Sequence, residues 1–167
     1  EYNMFSVELK ADTVTSGLVR LGAQLGDLTP VMEQIGEYMV MSTKERFKKG
    51  TSPEGAKWAP KSPTTLARYG ARKSNRIDPR PLFGPSGMLS SQIFHDAGPN
   101  QLEVGSNLIY AAVQQFGAGK GQFGNMANGS PIPWGNIPAR PFLGISTEDE
   151  TNILKLMADF LAQATWP

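Results

Sequence analysis

Two segments, Ile109-Tyr110-Ala111-Ala112-Val113-Gln114-Gln115-Phe116-Gly117 and Ile137-Pro138-Ala139-Arg140-Pro141-Phe142-Leu143-Gly144-Ile145, bracket an insert rich in Gly, Asn and Pro. In the first, Ile109, Ala112, Val113 and Phe116 stand at i, i+3, i+4 and i+7, which makes one apolar helical face. Gly117 offers the left-handed residue that ends such a helix. In the second, Pro138 and Pro141 fix φ on either side of Arg140 and remove two backbone donors. It reads as a stiff lead-in to a short apolar strand, 142–145, at a sheet edge.

On the N-terminal side of this pair, 89–97 and 101–105 read as a hairpin turning at Gly98-Pro99-Asn100, with Leu102 and Val104 alternating against Gln101 and Glu103. On the C-terminal side a last helix is expected. Ser146 or Thr147 caps it, Thr147 with Glu150 fits a capping box, and Ile153, Leu156, Met157, Phe160, Leu161 and Ala164 form its buried stripe. Glu148, Asp149 and Glu150 sit at its positive end, where carboxylates stabilise a helix, and they read as helix-start charges rather than an acid/base pair.

The chain opens with an alternating stretch, 4–10, in which Phe5, Val7 and Leu9 face one way, as in a half-buried strand. Leu18, Leu21, Leu25 and Leu28 then recur at helical spacing, but Gly17, Gly22 and Gly26 each cost about 1 kcal/mol of helix preference, so this helix is expected to be short or broken near Gly26. Asp27 as N-cap and Pro30 in the first turn start the main core helix, which carries Val31, Ile35, Tyr38 and Met39 on one face and runs to about Lys49 before Gly50 caps it. Between Thr51 and Pro85 six prolines break up the chain and apolar periodicity is lost. Apart from a short helix at 62–68, with Ser62 as cap and Pro63 at its first position, 51–85 reads as an extended arm. So long a connection is normally functional or disordered, since ordinary ones are about 4–6 residues. The insert at 117–136 reads as a flexible loop that binds or orders against a partner. The sum is an α+β fold: a small, mostly antiparallel sheet packed against two long helices, with an extended basic arm and a long Gly/Asn-rich loop, in a single domain over 1–167.

Length and composition fit that reading. A chain of 167 residues buries roughly two-thirds of the surface it exposes when unfolded. With 40% hydrophobic and 19% charged residues it is an ordinary globular composition. No run approaches the roughly 18 apolar residues of a membrane span, and no secretory signal is visible at the N-terminus, so a cytoplasmic life is allowed. Glu1 in place of Met is expected to reflect processing or numbering. The absence of cysteine excludes disulfides, thiolate catalysis and Cys-based metal sites.

Charge is unevenly spread. Lys44, Arg46, Lys48, Lys49, Lys57, Lys61, Arg68, Arg72, Lys73, Arg76 and Arg80 stand against Glu45, Glu54 and Asp78, so 44–80 carries +8, while the remaining five basic and twelve acidic residues leave −7 elsewhere. The arm has three readings: it is merely solvated, it embraces an acidic neighbour, or it contacts DNA phosphates.

Chemistry is offered and declined at several places. Gly119-Lys120-Gly121-Gln122-Phe123-Gly124 spells G-x-G-x-x-G, but a helix precedes it and a loop follows, the reverse of the dinucleotide-binding context. A phosphate loop would need a Gly where Gln114 stands and a Ser or Thr where Gly121 stands. His95, the sole histidine, has no nucleophile in a G-x-S-x-G turn to serve and reads as a strand residue facing solvent or the core edge. One His and scattered carboxylates make no metal site, so no cofactor, metal or catalytic residue is expected. Arg140, held between prolines, reads as pre-aimed at a carboxylate, within the chain or on a neighbour. Trp58, Trp134 and Trp166 lie in loops or near the end and serve as interface anchors or cover their own core.

The order Tyr110-Ala111-Ala112-x-x-Gln115-Phe116-Gly117, a variable loop, then Pro138-Ala139-Arg140-Pro141-Phe142-Leu143 resembles the virion-morphogenesis, or tail-completion, family of tailed phages, closest to the Mu-like ones. The long helix ending in Lys/Arg, the basic loop with Trp58, and Gly87-x-Leu89 before a hairpin agree with it, and the resemblance covers most of the chain. It implies a non-enzymatic structural protein at the head–tail junction of the virion. Such a protein caps the tail tube as a ring of subunits, six as a rule, ends tube polymerisation and meets the head-completion or connector proteins, while genome DNA passes through the lumen. The partners expected on that basis are copies of the chain itself, the tail tube protein and a head-completion protein, with no membrane. Subunits would pair through sheet edges and arms, and Trp58, Tyr110, Phe116, Trp134, Arg140 and Phe142 are the interface candidates. The alternative is a basic DNA-binding accessory protein that uses 44–80 on phosphates.

Overall fold

The structure is a computed structural model that describes residues 12–71 and 78–165. Its elements are α1 (Asp12–Leu25), α2 (Thr29–Lys49), α3 (Pro63–Ala71), α4 (Met88–Ser91), β1 (Phe94–Ala97), β2 (Leu102–Gly105), α5 (Ala111–Phe116) and α6 (Thr147–Thr165). The fold is α+β. The expected strand at 4–10 and the residues Arg72, Lys73, Arg76 and Trp166 lie outside the described residues.

The 21-residue α2 runs through two cores. Its N-terminal half gives Val31, Ile35 and Met39 to the first, where α1 adds Leu21 and α6 adds Ile153 and Met157. Its C-terminal end gives Phe47 to the second, among Trp58, Leu82, Leu89 and Phe142. Phe47 is fully buried, and its ring centroid lies 5.6 Å from Trp58, 6.2 Å from Phe83 and 5.3 Å from Phe142. Gly50 ends the helix in the left-handed conformation at φ 68°, its N–H bonded to Arg46 O.

α1 stops at Gly26, as its sequence suggests. Gly17 is kept despite its helix cost because α1 crosses α6 there: a Cβ on Gly17 would come within 2.6 Å of Met157 Cε. Asp27 is not the N-cap of α2. Leu28 takes that position, and Asp27 Oδ1 instead accepts from Thr29 N at 2.9 Å, two residues on. The capping box of α6 is likewise shifted by one: Ser146 Oγ accepts from Asp149 N at 3.1 Å, and Asp149 Oδ2 accepts from Ser146 N at 2.8 Å.

β1 and β2 form a two-stranded antiparallel sheet with Phe94 opposite Gly105, His95 opposite Val104, Asp96 opposite Glu103 and Ala97 opposite Leu102. The first strand begins later than expected, because residues 88–91 close a helical turn under Gly87, which itself is left-handed. The inner face of the hairpin, Ala97, Leu102 and Val104, lies on the first core. His95 packs on Gly36 of α2, where any side chain would collide with its ring, and its Nε2 is 2.9 Å from Glu33 Oε2.

Over its described residues, 51–85 is irregular yet lies on the body of the molecule instead of reaching away from it. Thr51 bridges Lys57, and Trp58 and Leu82 enter the second core. α3 starts at Pro63 with Ser62 Oγ accepting from Thr65 N at 3.2 Å, and it buries no side chain.

Candidate assembly surface

The segment after the insert is not a strand. Side chains take the hydrogen bonds that a neighbouring strand would have made. Gln115 Oε1 accepts from Phe142 N at 2.9 Å and Leu143 N at 3.0 Å, and Gln115 Nε2 donates to Leu143 O at 3.0 Å. Arg46 Nη1 donates to Phe142 O at 3.0 Å and to Gly144 O at 2.8 Å. Trp58 Nε1 donates to Pro141 O at 2.8 Å. A buried backbone must be paired, and here α2, α5 and the Trp58 loop pair it without a sheet.

α5 is therefore turned the other way from its apolar periodicity. Ala111 and Gln115 face inward, while Ile109 is 96% exposed and Phe116 58% exposed. The buried face carries a small residue that joins the second core and an amide that meets the backbone of Phe142 and Leu143.

Arg46 forms an ion pair with Asp149 at the start of α6. Burial opposes ionisation of Asp149, but hydrogen bonds from Ser146 and Ser42 and the charge of Arg46 outweigh it and hold the carboxyl below its usual range. Tyr38 Oη also donates to Asp149 Oδ1 at 3.0 Å and accepts from Asn152 Nδ2 at 2.9 Å. This network ties α2, α6 and the 142–146 segment together.

Arg140 is paired with no carboxylate among the described residues. It is buried, Nε donates to Ala59 O at 2.8 Å and Nη2 to Pro60 O at 2.9 Å, and its backbone N bonds Gln114 O at 2.7 Å. Trp58 and Phe142 are core residues as well, so three of the six interface candidates do internal work. Tyr110, Phe116 and Trp134 remain at the surface.

Several of the basic candidates are also committed inside the chain. Arg46 is buried on Asp149, and Lys61 is buried and donates to Asp78 O and Phe83 O. Burial lowers the Lys61 pKa from its ordinary value. Arg80 pairs with Asp78 at 2.5 Å and lies 3.7 Å over the Phe83 ring. Lys48 meets Glu45 at 3.1 Å, and Lys57 donates to Lys49 O at 3.1 Å. Lys44 is half-buried, and Lys49 is exposed.

The insert is built as an irregular hairpin. Ala118 and Ile137 exchange backbone hydrogen bonds at 2.9 and 2.8 Å at its root, and further up Phe123 N bonds Ile132 O at 2.8 Å and Met126 N bonds Ser130 O at 2.7 Å. Gly117 sits in this root at φ 76°, where a Cβ would lie 2.7 Å from Ile137 O and 2.8 Å from Ala139 N. The hairpin holds Phe123, Met126 and Trp134 about half exposed. Arg68 of α3 lies over the Trp134 ring at 5.5 Å. Phe123 and Met126 were not singled out by sequence, although apolar residues within a Gly/Asn tract with no core to enter are the available signal.

Among the described residues no group of three or more His, Asp or Glu is placed to hold a metal ion. No described helix is long and apolar enough to cross a membrane.

A model of the family described as phage virion morphogenesis matches residues 9–162. The chain is 29% identical over 158 residues to the Mu-like prophage FluMu G protein 2 of Haemophilus influenzae, covering 94% of this chain and 96% of that one. It is also 29% identical over 116 residues to a protein of Escherichia phage Mu, covering 69% of this chain and 67% of that one. That protein carries the provisional name capsid assembly protein G. No solved structure matches the chain.

Proposed function

This chain belongs to the phage virion morphogenesis family, and on that premise we propose that it caps the tail tube at the head–tail junction as a homo-oligomeric ring, without enzymatic activity. Its role is structural: it belongs to the assembly of the virion. In this reading a ring of six copies seats on the last ring of tube protein, its other face refuses a further tube subunit, and polymerisation stops. That face then receives the head-completion protein, and DNA passes through the lumen.

The observation that supports the reading is the set of large apolar side chains held outward just before α5, at its end and on the insert: Ile109, Tyr110, Phe116, Phe123, Met126 and Trp134. Concentrated exposure of this kind marks a surface that meets protein. The hairpin beneath is closed at its root and laddered, so the side chains are presented in a fixed place, which lowers the ordering cost of binding.

The test is the mass of the purified chain by light scattering, alone and after addition of tail tubes, with tube length followed by electron microscopy. A ring-sized species, or a smaller one that joins tube ends and fixes their length, is expected. A monomer that ignores tubes and binds duplex DNA with steep salt dependence would overturn the reading.

A further inference from the structure

No Asp or Glu stands between Glu54 and Asp78, or between Glu103 and Glu148. The structure brings these two carboxylate-free stretches together. Arg140, beyond the insert, is bonded to the backbone of Ala59 and Pro60, just before α3. Arg68 of α3 lies on Trp134 of the insert. Arg68 and Lys120 are exposed cations here, Lys120 N bonds Asn136 Oδ1 at 2.9 Å two residues from Trp134, and Phe123 and Trp134 are half exposed, with no anion from either stretch.

The β1–β2 hairpin is its opposite. One side lies on α2 and the first core; the other carries Asp96 directly across from Glu103, both exposed. Like charges directly opposed in an antiparallel pair destabilise it, and neither carboxylate has a cation partner among the described residues. Phe94 shares that outer side with Asp96 by strand alternation. One surface thus offers cations with aromatics, and the other offers two unneutralised carboxylates with an aromatic.

Resting on the ring reading above, we infer that the Arg68/Lys120/Trp134 face of one copy docks on the Asp96/Glu103 side of the hairpin of a second copy. Two different surfaces of one chain meet, so the contact is head-to-tail, the kind that closes into a ring when its rotation allows. Opposite charge selects the second copy as occupant and fixes the register, since like-charge juxtaposition penalises other orientations.

The experiment uses the full chain and light scattering over a concentration series, alone and with tail tubes. Two variants reverse one side each: Arg68→Glu with Lys120→Glu, and Asp96→Arg with Glu103→Arg. Each is expected to associate about 100-fold more weakly than the wild type, and the chain carrying all four changes is expected to recover to within about tenfold. The milder set, Arg68→Gln with Lys120→Gln and Asp96→Asn with Glu103→Gln, serves if a reversal disturbs the circular dichroism spectrum; each pair is then expected to weaken association about tenfold. Association that ignores these changes, or that the fourfold swap does not recover, overturns this contact and leaves tube capping standing. Loss of duplex DNA binding in Arg68→Glu with unchanged mass also overturns it and assigns the face to nucleic acid. A wild-type chain that never associates, with or without tubes, overturns both this contact and the ring.

Discussion

Arg46 and Asp149 lie almost wholly inside the protein, where Arg46 holds Phe142 O and Gly144 O and Asp149 accepts from Ser146 N. Removing one partner leaves the other charge buried alone, which costs about 3–5 kcal/mol. Asp149→Ala is expected to lose stability of that order in urea denaturation. The pH dependence follows from the lowered pKa of Asp149. In the unfolded chain the carboxyl titrates near about 3.9, so its stabilisation is complete above that value and is lost as pH falls through the lower folded value. The stability gap between wild type and Asp149→Asn should therefore narrow below about pH 4; a gap unchanged down to strongly acid pH would contradict the assignment. Gln115 is the second such residue. Gln115→Leu keeps the volume but orphans Phe142 N, Leu143 N and Leu143 O, which is expected to cost about 3 kcal/mol or more in the same measurement. Neither role was legible in sequence: Arg46 read as one cation in a helix-end cluster, and Gln115 fell off the apolar stripe.

At the scale of elements, the long helices and the hairpin were legible because periodicity reports side chains that bury against side chains. α2 ends at Gly50 where expected, and the turn at Gly98-Pro99-Asn100 closes β1 on β2. Two misreadings share one cause. The backbone of 142–144 is paired by the side chains of Arg46 and Gln115, so the strand pattern finds no sheet and the buried helical face of α5 is Ala111 and Gln115 rather than the apolar one. Gly117 was legible as a helix end, but its contact with the backbone of Ile137 and Ala139 was not. Gly117→Ala combines overpacking with a left-handed non-glycine, together about 2–5 kcal/mol. It is expected to lower Tm by several degrees or more, while Trp134→Ala, at the exposed flank of the insert, should leave Tm nearly unchanged and weaken association. If Trp134→Ala melts like Gly117→Ala, the insert is part of the core and not a presented surface.

At the scale of the whole molecule, α2 belongs to both cores, so the helical layer and the aromatic cluster around Phe47 should not come apart separately. Thermal unfolding read by far-ultraviolet circular dichroism and by the near-ultraviolet signal of the second core is expected to give coincident transitions. Two midpoints would show that the cores are independent. The basic balance of 44–80 was counted as one block in sequence, but folding divides it: Arg46 and Lys61 are internal, Arg80 is paired, and Lys49 and Arg68 face out. A charge count cannot distinguish a cation that holds carbonyls from one that meets solvent.

The doorway of the insert is narrow. Ala118 and Ile137 already face each other across paired backbone bonds, so everything beyond them can be excised or exchanged as a cassette while Gly117 and Arg140 keep the frame shut. A phage lineage could thus vary one hairpin of this virion-morphogenesis protein, leaving the rest of the chain to drift slowly under the demands of packing.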